Sequence, residues 1–175
     1  ASVDSLRLTA PGIDIEVGDS LHTEFLERYA GALCEGSRVF PGVDKLLDRL
    51  DEAACPWGIV TNKPEYLTNP LLDALGLAHR SACIVGGDTL PRNKPDPLPL
   101  RTVLAGLDVT PEQALMVGDS AIDVLLAHAT GVEVAFVTFG YGPEPPDSHR
   151  PDYRVDAFAD LPAVVAGHSA GQAVT

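Results

Sequence analysis

Four short apolar runs recur along this chain, and helical patterns lie between them. Trp57-Gly58-Ile59-Val60, Ala82-Cys83-Ile84-Val85, Ala114-Leu115-Met116-Val117 and Val134-Ala135-Phe136-Val137 are runs of the kind that form strands buried on both faces. The segments between them carry apolar residues at helical spacing. Tyr66 to Leu75 reads as a helix closed by Gly76, and about Leu98 to Ala105 as a helix with prolines in its first turn. After Gly118, Ile122, Leu125, Leu126 and Ala129 share one helical face. Strands alternating with helices mean βαβ units. The expected fold is therefore α/β, with a doubly wound, Rossmann-like parallel sheet and right-handed crossovers that put helices on both faces.

The rest of the chain is placed around that core. Residues 1–20 read as a short strand or extended arm, in which Ile13, Ile15 and Val17 alternate with Asp14 and Glu16. Leu21 to Leu33 reads as an amphipathic helix with Phe25, Leu26, Tyr29 and Leu33 on one face, and Val43 to Ala54 as a second. A proline-rich loop at 143–151 leads through Tyr153-Arg154-Val155 to a last short helix near Leu161 to Ala166, and the final SAGQAVT is expected to be disordered. The expected division is a segment at 1–38, a core at 39–167 and a tail at 168–175.

Composition narrows the partners. A net charge of −13 over 175 residues argues against nucleic acid and against an anionic membrane surface. A phosphorylated substrate would meet overall repulsion, so a site for one needs a local cation. Cys34, Cys55 and Cys83 are odd in number and show no CxxC pattern, so they are expected to be buried small hydrophobes in a reducing cytoplasm. The five histidines show no metal-ligand spacing. No secretory leader is visible at the start, and no apolar run is long enough to span a bilayer.

Chemistry concentrates where strands end. Asp119 and Asp123 follow the run at 114–117 one helical turn apart, so they can point the same way. Ligands of open parallel sheets bind beyond the carboxyl ends of the strands, and paired carboxylates there suit a hard cation such as Mg²⁺. Ser120-x-x-Asp123 equally matches a capping box, which needs no metal. Thr61-Asn62 follows another strand, and Lys94 lies in a loop before a helix, from which it can reach over. A hydroxyl with a free backbone N–H, a lysine and two carboxylates form a phosphate-handling set: donors and cation for phosphoryl oxygens, and carboxylates for Mg²⁺.

The order and spacing of these groups resemble the haloacid dehalogenase-like phosphatase superfamily. Its second motif is a strand ending in Thr or Ser, its third a lysine, and its fourth an acidic pair after a strand. GIVTNKP (58–64), GGDTLPRNKPDPLPL (86–100), MVGDSAIDV (116–124) and FGYG (139–142) are similar to the phosphoglycolate phosphatase branch, and the resemblance covers about residues 39–165. It implies that Thr61 and the Asn62 backbone bind the transferring phosphoryl group and that Lys94 stabilises it and the nucleophile. It also implies that Asp119 ligates Mg²⁺, with Asp123 helping directly or through water, and that Gly86, Gly87 and Asp88 shape the adjacent loop. The segment before Phe40 resembles the second half of a helical cap.

One motif departs from the pattern. The family nucleophile lies in a DxDGT motif on a central strand, and no such motif occurs here; Asp14-Ile15-Glu16 is the nearest string and lacks the DGT. The expectation is that an N-terminal portion is missing, that residues 1–20 do not carry the nucleophile, and that this chain alone does not turn over a phosphomonoester. The leading expectation is a Mg²⁺-dependent phosphomonoester hydrolase acting on a small phosphorylated metabolite through an aspartyl-phosphate, with the nucleophile outside this sequence. The alternatives are a sugar-phosphate phosphatase of the same superfamily and a non-catalytic fragment or relic that binds phosphate or metal.

Overall fold

The computed structural model describes residues 37–172, with side chains described to His168. Val39–Thr175 forms one compact unit. The expected helix at 21–33, the strand or arm read at 1–20, the cap segment up to residue 36, and Cys34 all lie outside the described residues.

Within the unit, strands and helices alternate as the apolar runs predict. Helix α1 (Val43–Glu52) precedes β1 (Gly58–Val60), α2 (Glu65–Ala74) and β2 (Cys83–Val85). Then come α3 (Leu98–Leu107), β3 (Leu115–Gly118), α4 (Ala121–Thr130), β4 (Glu133–Val137), β5 (Tyr153–Val155) and α5 (Leu161–Gln172). Every pairing is parallel. β1 lies beside β2, with Ile59 opposite Ile84. β3 pairs with β4, and β4 with β5, placing Val117 opposite Ala135 and Phe136 opposite Arg154. Tyr153–Val155, which the sequence presents only as the end of a loop, is thus a full member of the sheet. Its register is helped by Asp152, whose carboxylate accepts the Val134 N–H at 2.8 Å.

The sheet falls into two pieces, β1–β2 and β3–β4–β5; among the described residues no strand pairs with both β1 and β3. Side chains nonetheless unite the pieces. Val60 of β1 and Met116 of β3 pack against one cluster formed by Leu100 and Leu104 of α3, Val124, Leu126 and Ala127 of α4, and Val134 and Phe136 of β4. On the opposite face, α1 sends Leu46 to the cluster of Ala135, Val137, Val155 and Leu161, and Leu47 to that of Leu72 and Leu77. Alternate residues of β4 enter different clusters because side chains of a strand alternate between its faces. Helices cover both faces, as doubly wound folds require.

Two expectations are corrected. Helix α5 runs on through Gln172 rather than dissolving at Ser169. Cys55 is exposed and Cys83 half-buried, so neither is a buried core thiol; Cys55 falls in the turn after α1, beyond the reach of the core. No helix of the described residues is long and apolar enough to cross a membrane.

Candidate active site

The loop after β1 is built to stay rigid. The Thr61 N–H continues the ladder to Val85 O at 2.9 Å, and the Thr61 hydroxyl oxygen accepts the Lys63 N–H at 3.1 Å. Beneath it, the buried Thr68 hydroxyl donates to Lys63 O and Pro64 O at 3.1 and 3.0 Å. Thr68 occupies an inward position of α2 that periodicity alone would assign to an apolar residue. That polar residue at an apolar position was the available signal for it. Asp88 shapes the neighbouring loop, as expected, by accepting the Glu65 N–H at 2.6 Å at the start of α2. The Thr61 hydroxyl retains its proton to donate. Among the described hydrogen bonds none engages the Asn62 N–H.

Lys94 does reach over. Its Nζ lies 2.7 Å from Asp123 Oδ1, and its peptide group meets the Asn62 side chain. The Lys94 and Asp123 side chains are only 14% and 5% exposed, so this ion pair is largely withdrawn from solvent screening. The other carboxylate oxygen of Asp123 accepts the Ser120 hydroxyl at 2.7 Å and the Ser120 N–H at 3.2 Å. Ser120 is the N-cap of α4, so the capping box read from the sequence is present. Asp123 has both oxygens committed to protein donors. A Cβ on Gly118 would collide with the Asp123 carboxylate, so this close approach requires glycine at the end of β3.

Asp119 is held differently. Its Oδ2 accepts the Tyr141 N–H at 2.8 Å and the Gly142 N–H at 3.2 Å, both from the loop after β4. That loop is tied down in turn by Pro143 O, which accepts the Ala121 N–H at 3.0 Å. Gly140 lies so close that an added Cβ would strike the Asp119 carboxylate. Oδ2 is thereby fixed, and none of the described hydrogen bonds engages Oδ1. A carboxylate so anchored presents one oriented oxygen, and Mg²⁺ is commonly held by one or two carboxylates with waters and substrate oxygens completing its shell. Among the described residues no group of three or more His, Cys, Asp or Glu forms a closed metal cage. Asp119 is thus the one carboxylate of the pair with an oxygen that no described hydrogen bond engages. Two shallow surface hollows, one beside the proline-rich loop and one between α1 and α5, include none of Thr61, Lys94, Asp119 and Asp123.

The structure thus links Asn62, Lys94, Asp123 and Ser120 by direct contacts, with Thr61 and Asp119 adjoining them in the chain at the carboxyl ends of β1 and β3. A family profile described as haloacid dehalogenase-like hydrolase matches residues 8–137. The chain belongs to this family. Among haloacid dehalogenase-like relatives, the phosphoglycolate phosphatase of Xanthomonas campestris is 41% identical over 146 residues, covering 82% of this chain and 66% of its own length. That of Rhodospirillum rubrum is 46% identical over 137 residues, covering 78% and 57%. A crystal structure described as a predicted phosphoglycolate phosphatase from Haemophilus somnus superposes with a TM-score of 0.83 at 32% identity, covering 93% of this chain and 73% of that one. The chain spans less than two thirds of the length of these curated haloacid dehalogenase-like relatives.

The backbone clamp on Asp119 went unforeseen. Tyr141 and Gly142 act through their N–H groups, which no side-chain pattern advertises; the cue was the GYG triplet in the loop after a strand.

Proposed function

We propose that this chain carries the phosphate- and metal-handling groups of a phosphomonoester hydrolase of the phosphoglycolate phosphatase type. The observation that carries this reading is the Lys94–Asp123 pair set between the Thr61-Asn62 loop and Asp119. Lys94 contacts Asn62 through its peptide group and Asp123 through its ammonium, which ties the loop after β1 to the turn after β3 that carries Asp119. The names of the relatives support a small phosphorylated acid as substrate.

In this reading Thr61 Oγ1 and the Asn62 N–H donate to two oxygens of the phosphoryl group. Lys94 Nζ offsets the charge that a chain of net −13 would otherwise repel. Asp119 would hold Mg²⁺ and Asp123 would assist it, while Asp123 keeps its contacts with Lys94 and Ser120. When bound, Mg²⁺ supplies charge neutralisation on the phosphoryl oxygens. On this reading the nucleophile is an aspartate that the given sequence does not supply. Its carboxylate oxygen attacks phosphorus as the P–O bond to the alcohol breaks, and the leaving alkoxide takes a proton from water; a water then attacks the aspartyl-phosphate, releasing phosphate, restoring the carboxylate and returning a proton to solvent. A reducing cytoplasm suits the free thiols Cys55 and Cys83.

The test is turnover of 2-phosphoglycolate and a panel of sugar phosphates. The chain alone is expected to show none, and the chain supplied with an aspartate-bearing extended segment is expected to hydrolyse 2-phosphoglycolate. Turnover by the chain alone refutes the nucleophile assignment. A tenfold preference for a sugar phosphate, about 1.4 kcal/mol in the transition state, replaces the substrate.

A further inference from the structure

The peptide group of Lys94 sits in an irregular turn with no ladder of its own. Both of its polar groups find their partner in a single side chain 32 residues away. The Lys94 N–H donates to Asn62 Oδ1 at 2.9 Å, and Asn62 Nδ2 donates to Lys94 O at 3.0 Å. The carboxamide thereby imitates the backbone of a neighbouring strand, exchanging both bonds with one residue as hydrogen-bonded pairs in a sheet do. We infer that the Asn62 carboxamide is a positioning group for Lys94, separate from any contact the Asn62 N–H makes with phosphate. This rests on the phosphate-handling reading of Lys94 given above.

Three further observations carry the inference. First, the side chain is engaged through both its oxygen and its nitrogen. Its oxygen accepts from Lys94 and its nitrogen donates to Lys94, so it is turned along the protein rather than toward a ligand. Second, Asn62 is itself a fixed reference. Gly87 packs flat against the Asn62 carbonyl, where any Cβ would collide, and the Gly87 N–H donates to Lys63 O at 2.8 Å. The loop after β2 therefore holds the Asn62–Lys63 peptide from one side while the carboxamide holds Lys94 on the other. Third, Lys94 is gripped at its far end by Asp123, at 2.7 Å. A lysine side chain is long and rich in rotamers, so fixing only its ammonium leaves the stem and backbone free to wander. Fixing the peptide as well sets where the ammonium can reach, which is the pre-organisation a charge-stabilising group needs.

The experiment uses the full 175-residue chain, ¹⁵N-labelled, with inorganic phosphate as probe. Three signals are read: exchange of the Lys94 amide, the Lys94 Nζ–H resonance, and the phosphate Kd by calorimetry. Asn62→Ala is expected to speed Lys94 amide exchange by more than about tenfold relative to Val103 in α3, and to shift the ammonium resonance toward that of exposed lysines. It should also weaken phosphate by about tenfold. Asn62→Asp keeps the acceptor and is expected to retain the slow Lys94 amide, which also secures the test if Asn62→Ala fails to fold. The double variant Asn62→Ala/Lys94→Ala should bind phosphate no more weakly than Lys94→Ala alone, because a positioning group has nothing left to position. Unaltered Lys94 signals in Asn62→Ala overturn the inference, and so do additive losses in the double variant, which would put the carboxamide on the anion. If Lys94→Ala leaves phosphate affinity unchanged, the phosphate-handling reading falls, while the two Lys94 signals still decide whether Asn62 positions it.

Discussion

The ammonium of Lys94 and the carboxylate of Asp123 meet at 2.7 Å across 29 positions of sequence, in a setting where the two side chains are nearly closed to water. Such a pair stabilises little against an apolar replacement of both partners, but removing one partner strands a buried charge. Lys94→Met is expected to destabilise the chain by about 3 kcal/mol or more. Urea unfolding of the variant and its parent measures this. A difference below about 1 kcal/mol would equal that of an exposed pair and would contradict the burial.

Gly140→Ala places a methyl group against the Asp119 carboxylate. Overpacking of this kind costs about 1–3 kcal/mol, and the larger consequence is expected at the carboxylate, which must leave the Tyr141 and Gly142 N–H groups. The backbone resonances of Tyr141 and Gly142 should shift and Mg²⁺ heats should fall, while the α5 region stays unchanged. Unmoved Tyr141 and Gly142 resonances would show that the loop can retreat intact.

Asp119→Asn tests the metal site directly. It swaps one carboxylate oxygen for an NH₂ group and removes the charge that attracts a hard cation. Calorimetric titration with Mg²⁺ is expected to give weak binding in the parent, since a single oriented carboxylate oxygen is a sparse site, and no measurable heat in the variant. Equal heats in both proteins would remove Asp119 from the ligand set.

Glu133 opens β4 and receives two hydrogen bonds, from His168 Nδ1 at 2.9 Å and from the Tyr153 hydroxyl at 3.0 Å. These hold its carboxyl below the ordinary value of 4.5, the His168 contact contributing most and Tyr153 next. The same carboxylate holds the Tyr153 hydroxyl above its ordinary value of 10.0. A carboxylate with a lowered value in the folded state stabilises fully above its unfolded value and loses that contribution as pH falls through the folded one. Glu133→Gln should therefore lower the Tm at neutral pH, and the difference from the parent should shrink as pH drops below 4.5. A Tm difference that is constant down to about pH 3 would mean the carboxylate charge plays no part.

Much of this was legible from particular residues. The runs around Ile59, Ile84, Met116 and Phe136 became parallel strands between helices, but only that of Phe136 is buried with described partners on both sides, and Val117 of β3 stays exposed. Gly76 ended α2 with a positive φ of 68°, as its position beside Leu75 implied. Lys94 and Asp123 were singled out by residue type, but their mutual engagement was hidden. Nothing in a sequence says whether a carboxylate in a capping box will also take a lysine from 29 positions away. The clamp on Asp119 was less visible still, since it is made by N–H groups that every residue but proline possesses. The same limit concealed the strand at Tyr153–Val155. Its three residues are too few for periodicity to register, and only pairing with β4 makes it a strand.

The division of the sheet between β1 and β3 has a consequence for how the molecule comes apart. Thr61 and Asn62 belong to one piece and Asp119 and Asp123 to the other, and no described backbone ladder joins them. Side chains span the seam instead: Val60 and Met116 in a shared cluster, Leu46 and Leu47 of α1 in two others, and the chain of contacts from Asn62 through Lys94 to Asp123. Cooperative unfolding of the β1–α2–β2 half with the rest is thus transmitted through packing and one polar strap. An anion seated on Thr61 and Lys94 would fasten the two halves together, so that occupancy of the site would be felt as hydrogen-exchange protection throughout both foldons.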